Sequence, residues 1–236
     1  MTAYEPSQPG RSKTAVGPPW PTAAVWDAGI RLGVHLELPP CALLPVREGM
    51  RLAGPVRRIE HDEGVASILE GICGTVPGEV LLICNEGLTD EACVGDLVAL
   101  EAQAAGIAGL VVWGCHRDTA QLARIGLPVF SQGPCPASPR PRADRENLTA
   151  AKMPGQDGDW VVADADGTVV VPAGARERVL ATAERIVRAE RRQAELVLGG
   201  VSVRRQLDWD AYVERHRRDP HYTFRKHLAA VEGALE

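Results

Sequence analysis

Lysine is scarce in this chain: Lys13, Lys152 and Lys226 are the only ones. None falls at the expected end of a core strand, where a desolvated amine could form a Schiff base. Covalent catalysis through a lysine imine is therefore not expected. Paired cysteines are also missing. Cys41, Cys73, Cys84, Cys93, Cys115 and Cys135 include no C-x-x-C, so neither a zinc knuckle nor a dithiol redox motif is supported. Buried free thiols are expected instead. Cys115 is the one nearest the candidate site, and reactivity there would need a depressed thiol pKa. No apolar run approaches a membrane span, and Met1 to Pro21 has no apolar signal core, so a cytoplasmic protein is expected. A formal net charge of −5 gives no positive footprint for nucleic acid. P-loop, dinucleotide and zincin motifs are absent.

What is present suits one α/β domain with appendages. The 236 residues and a hydrophobic share of 45% can fill one good core. Residues 1–21 are rich in Pro, Gly and Ser and are expected to be disordered. Thr22 to Leu32 reads as an opening helix, and Val46 to Ile59 as the entry to a sheet. His61-Asp62-Glu63 reads as a solvated loop and Ala66 to Ile72 as a short helix. Val80 to Cys84 and Leu110 to Trp113 are short apolar runs suited to buried strands. Between them Leu97, Leu100, Ala104 and Ala105 recur at helical intervals, with Gly106 as the stop. Gly114-Cys115-His116 reads as a turn. Strand, helix, strand, helix at this spacing indicates α/β.

Two polar islands stand out, Gly95-Asp96-Leu97 and Arg117-Asp118. Asp96 and Arg117 are separated by twenty residues. The first island opens a helix whose N-terminal N–H groups attract a carboxylate or phosphate. Arg117 can grip a carboxylate bidentately. Asp118 can hold a hard divalent cation, directly or through waters. Brought together, these groups would hold a small oxo-acid beside a metal ion. Local alternatives stay open at each position. Asp118-Thr119-Ala120-Gln121 fits an N-terminal capping box. Asp96 fits a first-turn acid, and Arg117 a surface ion pair.

The same stretch resembles the family that contains the 4-hydroxy-4-methyl-2-oxoglutarate/4-carboxy-4-hydroxy-2-oxoadipate aldolases and the regulator of ribonuclease activity A. The shared signature is an Asp, twenty residues, then Arg-Asp, here Asp96 and Arg117-Asp118. Further matches, in order, are Arg51 to Val56, Pro77 to Leu81, Gly126 to Phe130 and Asp159 to Pro172, so the resemblance spans about Thr22 to Glu190. It implies a swivelling β/β/α domain, assembled as a homotrimer or hexamer with sites at subunit boundaries. It implies that amides around Gly95, Asp96, Leu97 and Val98 hold a pyruvyl carboxylate, that Arg117 contacts carboxylate and keto oxygens, and that Asp118 anchors Mg or Mn. Arg117 and the metal would stabilise a pyruvate enolate, reached by retro-aldol cleavage or by decarboxylation of oxaloacetate. The regulator branch is understood to lack the metal-binding carboxylate, so Asp118 favours the enzymatic branch. A non-catalytic regulator and a scaffold recruited to another carboxylic acid are the alternatives. The general base is unassigned, with a metal-associated water and an acid of a neighbouring subunit as candidates. His116, beside Arg117, is a candidate for orienting substrate. Trp113 stands where many aldolase members have an acid, and Asn85-Glu86-Gly87 replaces a glycine-richer loop.

Downstream, Pro134 to Arg145 reads as a proline-rich loop and a candidate lid. Trp160 to Ala163 and Thr168 to Val171 are strands joined by Asp164-Ala165-Asp166-Gly167. Ala175 to Leu198 is a long amphipathic helix that closes a domain over 22–198. Residues 199–236 are expected to form an extra C-terminal helical arm for packing or oligomerisation, with His216, His221 and His227 on its surface.

Overall fold

In the computed structural model, which describes residues 20–62, 64–139 and 151–231, a seven-stranded mixed sheet is built around the two most apolar runs. Strands β3 (Val80–Cys84) and β5 (Gly109–Trp113) are buried at every position. Such runs can only sit in the middle of a sheet covered on both faces. They pair in parallel with each other, and β2 (Leu52–Glu60) and β7 (Val129–Ser131) flank them, also in parallel. Short helices make the crossovers: α2 (Val65–Cys73), α3 (Asp96–Ala104) and α4 (Thr119–Ile125). The hairpin β8 (Trp160–Asp164) and β9 (Gly167–Val171) extends the sheet antiparallel to β2. At the other edge β1 (Leu44–Pro45) pairs antiparallel with β7. The chain just before β1 also bridges β9, Glu37 to Val170. The segment from Glu37 to Pro45 thus bonds to β7 at one edge and to β9 at the other, and nearly closes the sheet into a barrel.

Three buried clusters follow from this layout. Ile68, Ile72, Leu81, Val98, Ala102 and Leu122 pack the crossover helices on the sheet. Met50, Leu52, Leu82, Trp113, Phe130 and Met153 fill a second layer. The third lies between β8, β9 and two helices, α1 (Thr22–Leu32) and α5 (Arg176–Leu198).

Several expectations change. His61 is not solvated: it is 1% exposed, and its Nδ1 lies 2.9 Å from Asn85 Oδ1. Residues 115–116 are not a bare turn. Gly114 bends the chain, and β6 (Cys115–His116) then pairs in parallel with β4 (Ala92–Val94) as a separate two-stranded sheet. The face of α3 is rotated from the expected one. Val98, Ala99 and Ala102 are buried, whereas Leu97 and Leu100 are 76% and 47% exposed.

The arm is helical: α6 (Val203–Gln206), α7 (Trp209–Arg218) and α8 (Phe224–Ala230) follow α5. Its own aromatics hold it, with Tyr212 against Trp209, Phe224 and His227. His227 is a correction: it is 2% exposed, with Nε2 2.6 Å from the Leu207 carbonyl and Nδ1 3.1 Å from Tyr222 Oη. Of residues 1–21, expected to be disordered, 1–19 lie outside the described residues, as does the part of the proline-rich loop beyond residue 139, whereas Trp20 packs against the third cluster and Pro21 stands at the N-cap of α1.

Candidate active site

The two polar islands meet because β4 and β6 pair. Arg117 N donates to the Val94 carbonyl at 2.9 Å, which sets the second island directly beside the first. Gly95 is the N-cap of α3 and Asp96 its first residue. Asp118 occupies the N-cap position of α4, but at φ 59° and ψ 39°. A capping side chain needs an extended backbone to reach back over its own helix. In the left-handed region, which Asp tolerates better than most residues, the Asp118 carboxylate turns outward, and it caps nothing in α4. Its Oδ2 lies 3.4 Å from Asp96 N instead. The capping-box alternative is thereby removed.

Gly95 is required by this approach. A Cβ there would stand 2.6 Å from Asp118 Oδ2 and 3.3 Å from Arg117 Nε. The Arg117 Nε lies 3.5 Å from the same Asp118 oxygen, and both side chains are partly exposed. Arg117 Nη1 donates to Ser138 Oγ at 2.9 Å. Leu97 N donates to Asp96 Oδ1 at 2.8 Å. The α3 N-terminus therefore already faces two carboxylates, as its unpaired N–H groups and dipole favour. Two carboxylates and one guanidinium leave a formal excess of one negative charge. A hard divalent ion would reverse that excess and make the site attractive to an anion. The oxygen donors suit Mg or Mn. Among the described residues no group of three or more His, Cys, Asp or Glu side chains converges as a ready-made metal cage. The fit is that of an ion held by Asp118 together with water, not of a closed protein cage.

His116 lies beneath this surface. It is 3% exposed, with Nδ1 2.7 Å from Ser131 Oγ and Nε2 3.0 Å from Thr119 Oγ1. Burial pushes its pKa below the ordinary imidazole value, which keeps it neutral. A neutral ring between two hydroxyls ties β6 to β7 and to the start of α4. Both of its nitrogens are engaged by protein, so its place is under Arg117 and not on the open side of the site. Cys115 is buried and burial raises its thiol pKa, with Cys135 and Asp90 adding to the rise. That is the opposite of an activated thiolate. Trp113 belongs to the layer with Phe130 and Met153, away from Val94 and Val98. A cleft of about 690 Å³ opens on the Trp113 side, lined by Arg58, Glu60, Glu86, Lys152 and Met153 among others. Lys152 is exposed there, not desolvated.

Ser131, Thr119 and Ser138 had no sequence signal as site residues. Ser131 and Ser138 reach the site because residues 132–135, just after β7, run beside β6, and Thr119 does so through the His116 ring; local patterns encode neither contact.

The match to known proteins follows the same residues. The RraA-like family description, Aldolase/RraA, matches residues 22–170, more than half of the chain. The chain belongs to the RraA-like family. A protein of Halalkalibacterium halodurans provisionally named as a 4-hydroxy-4-methyl-2-oxoglutarate aldolase is 32% identical over 145 residues, covering 60% of this chain and 69% of the relative. An uncharacterized protein from Pseudomonas syringae pv. tomato has a crystal structure with TM-score 0.65 and 29% identity, over 78% of this chain and 90% of that one. RraAS2 of Streptomyces coelicolor, described as an unusual member of the RNase ES inhibitor RraA protein family, gives TM-score 0.60 and 25% identity over 72% of this chain and 89% of that one. No helix among the described residues is long and apolar enough to cross a membrane.

Proposed function

We propose that this protein is a divalent-metal-dependent carbon–carbon lyase acting on a small oxo-acid, by retro-aldol cleavage, decarboxylation or both. The observation that carries the reading is the meeting of Asp118 with the α3 N-terminus: its Oδ2 lies 3.4 Å from Asp96 N, in space that Gly95 leaves open. A capping aspartate would not be there. The names of similar aldolases support the same chemistry.

In this reading the amides of Gly95, Asp96, Leu97 and Val98 receive the carboxylate of the oxo-acid, and Arg117 faces its keto oxygen. Asp118 holds Mg or Mn, which supplies Lewis-acid polarisation of the substrate. The bond from C3 to C4 breaks and its electron pair stays on the pyruvyl fragment as an enolate. In the retro-aldol case the C4 hydroxyl gives up its proton and leaves as a carbonyl. In decarboxylation CO2 leaves. The enolate then takes a proton at C3 to give pyruvate. The Arg117 charge lies where the enolate oxygen develops, so it lowers the barrier more than it aids binding. The exposed Leu97 and Leu100 beside Asp96 suit a site finished by a neighbouring subunit in a homotrimer or hexamer.

The test is pyruvate release from oxaloacetate with and without Mg or Mn, for wild type, Arg117→Ala and Asp118→Ala. Metal-dependent release that collapses in both variants is expected. Full activity in Asp118→Ala would overturn the reading. The likeness to RraAS2 favours one alternative, a protein-binding regulator on the same scaffold. Absence of turnover together with no metal-induced rise in Tm would select it.

A further inference from the structure

The chain after β7 is laced to both arms of the site. Ser131 Oγ lies 2.7 Å from His116 Nδ1 and accepts from Gly133 N at 3.1 Å. Gln132 N donates to the Gly114 carbonyl at 3.0 Å, His116 N to Gly133 at 3.0 Å, and Cys135 N to His116 at 2.8 Å. Next, Ala92 N donates to the Ala137 carbonyl at 2.9 Å. Residues 132–137 are thus bonded first to the strand that carries Arg117 and then to the strand that leads to Gly95. Pro134 and Pro136 restrict φ between these bonds and reduce the freedom to be lost on ordering. The candidate lid is, over this part, a fixed edge of the site. It ends by delivering the Ser138 hydroxyl to Arg117 Nη1 at 2.9 Å.

The Arg117 guanidinium is consequently held from two directions. Nε faces Asp118 Oδ2 at 3.5 Å, and Nη1 donates to Ser138. The group is a rigid planar fork, so restraining two of its nitrogens sets the plane and the aim of the other N–H bonds. A partly exposed arginine otherwise samples many rotamers and loses that freedom on gripping a ligand. A neutral hydroxyl is also the right kind of restraint. A further carboxylate at that place, added to that of Asp118, would offset still more of the positive charge that an enolate needs.

We infer that Ser138 is a positioning residue that orients Arg117 toward the oxo-acid. The inference rests on the reading of Arg117 given above and deepens it.

Ser138→Ala and Ser138→Thr would be compared with wild type for pyruvate release from oxaloacetate with Mg. Calorimetry with oxalate, a planar mimic of the enolate, and Tm would be measured on the same samples. Ser138→Ala should lower kcat/KM about fivefold, mainly through kcat, because one hydrogen bond to a charged group is lost and its effect is felt as charge develops. Oxalate binding should weaken in parallel while Tm stays put, and Ser138→Thr, which keeps the hydroxyl, should recover both. An alanine variant equal to an active wild type, or a threonine variant as impaired as the alanine one, overturns the Ser138 assignment alone. Wild type that neither turns over oxaloacetate nor binds oxalate overturns the oxo-acid reading and this inference with it.

Discussion

The carboxylate of Asp118 sits in the space a side chain at Gly95 would take, 2.6 Å from where that Cβ would stand. Gly95 itself has φ −135° and ψ −168°, ordinary extended backbone that alanine adopts freely. Gly95→Ala therefore isolates the contact from any backbone strain. The methyl group should push Asp118 away from the α3 N-terminus. We expect pyruvate release to fall about a hundredfold, the scale at which misplacing a reacting group by an ångström is felt. The rise in Tm on adding Mn should shrink with it. A Gly95→Ala protein with wild-type turnover and wild-type Mn stabilisation would show that Asp118 does not work from this position.

His116 should make stability fall with acid. Burial holds its folded pKa below 6.5, so as the pH drops through that value the unfolded chain takes up a proton that the folded chain refuses. The state binding more protons gains, and here that is the unfolded state, so stability is lost as pH falls. The Tm of wild type should decline between about pH 7 and about pH 5. His116→Gln, with nothing to titrate there, should show a shallower decline. Equal slopes for the two proteins would mean that the ring titrates as freely folded as unfolded.

Trp113 and Gly87 form a matched pair. A Cβ on Gly87 would lie 2.7 Å from Trp113 Nε1, and Gly87 has φ +73°. Gly87→Ala should cost about 2–3 kcal/mol, from overpacking plus strain at a left-handed position. In a Trp113→Phe background the collision disappears and only the backbone part remains, so the same change should cost less. Urea denaturation of the four proteins in the cycle gives the coupling. Additive costs would contradict the contact.

Much of this architecture is legible in the chain, and the reasons are local. β3 and β5 announce themselves as unbroken apolar runs, α1 by its apolar spacing, and the β8–β9 hairpin by Asp166-Gly167. The site is legible as two islands, since Asp96, Arg117 and Asp118 do converge, but their contacts are not. Whether Asp118 caps α4 or turns toward Gly95 depends on one backbone angle. The apolar spacing of Leu97 and Leu100 gave the wrong face of α3, because small Ala99 and Ala102 pack closest to the sheet. His61 and His227 look like surface residues until partners distant in the chain, Asn85 and Leu207, supply their hydrogen bonds. Ser138 reaches Arg117 only through the pairing of residues 132–137, and no local pattern carries that information.

The N-terminus of α1 offers a last case of long-range capping. Pro21 stands at its N-cap position and supplies no side-chain bond. Asp164, at the end of β8, does the work from afar. Its Oδ2 accepts from Thr22 N at 2.9 Å, and its Oδ1 from Thr22 Oγ1 at 2.6 Å and Asp166 N at 3.0 Å. Asp164 is 8% exposed and Thr22 is 4% exposed, so neither has water as a ready substitute. Asp164→Asn keeps the shape but sets an amide donor where an acceptor is needed. That should cost about 2–3 kcal/mol, the range for a buried hydrogen bond to a charged group left unmade. Thr22→Val removes one hydroxyl and keeps the backbone bond, so about 1 kcal/mol is expected. Both are read from urea denaturation. Since α1 packs on α5 and β9, away from Arg117 and Asp118, kcat should stay at the wild-type value in each. A cost for Asp164→Asn no larger than that for Thr22→Val would show that the anion at the helix end contributes nothing beyond the hydroxyl.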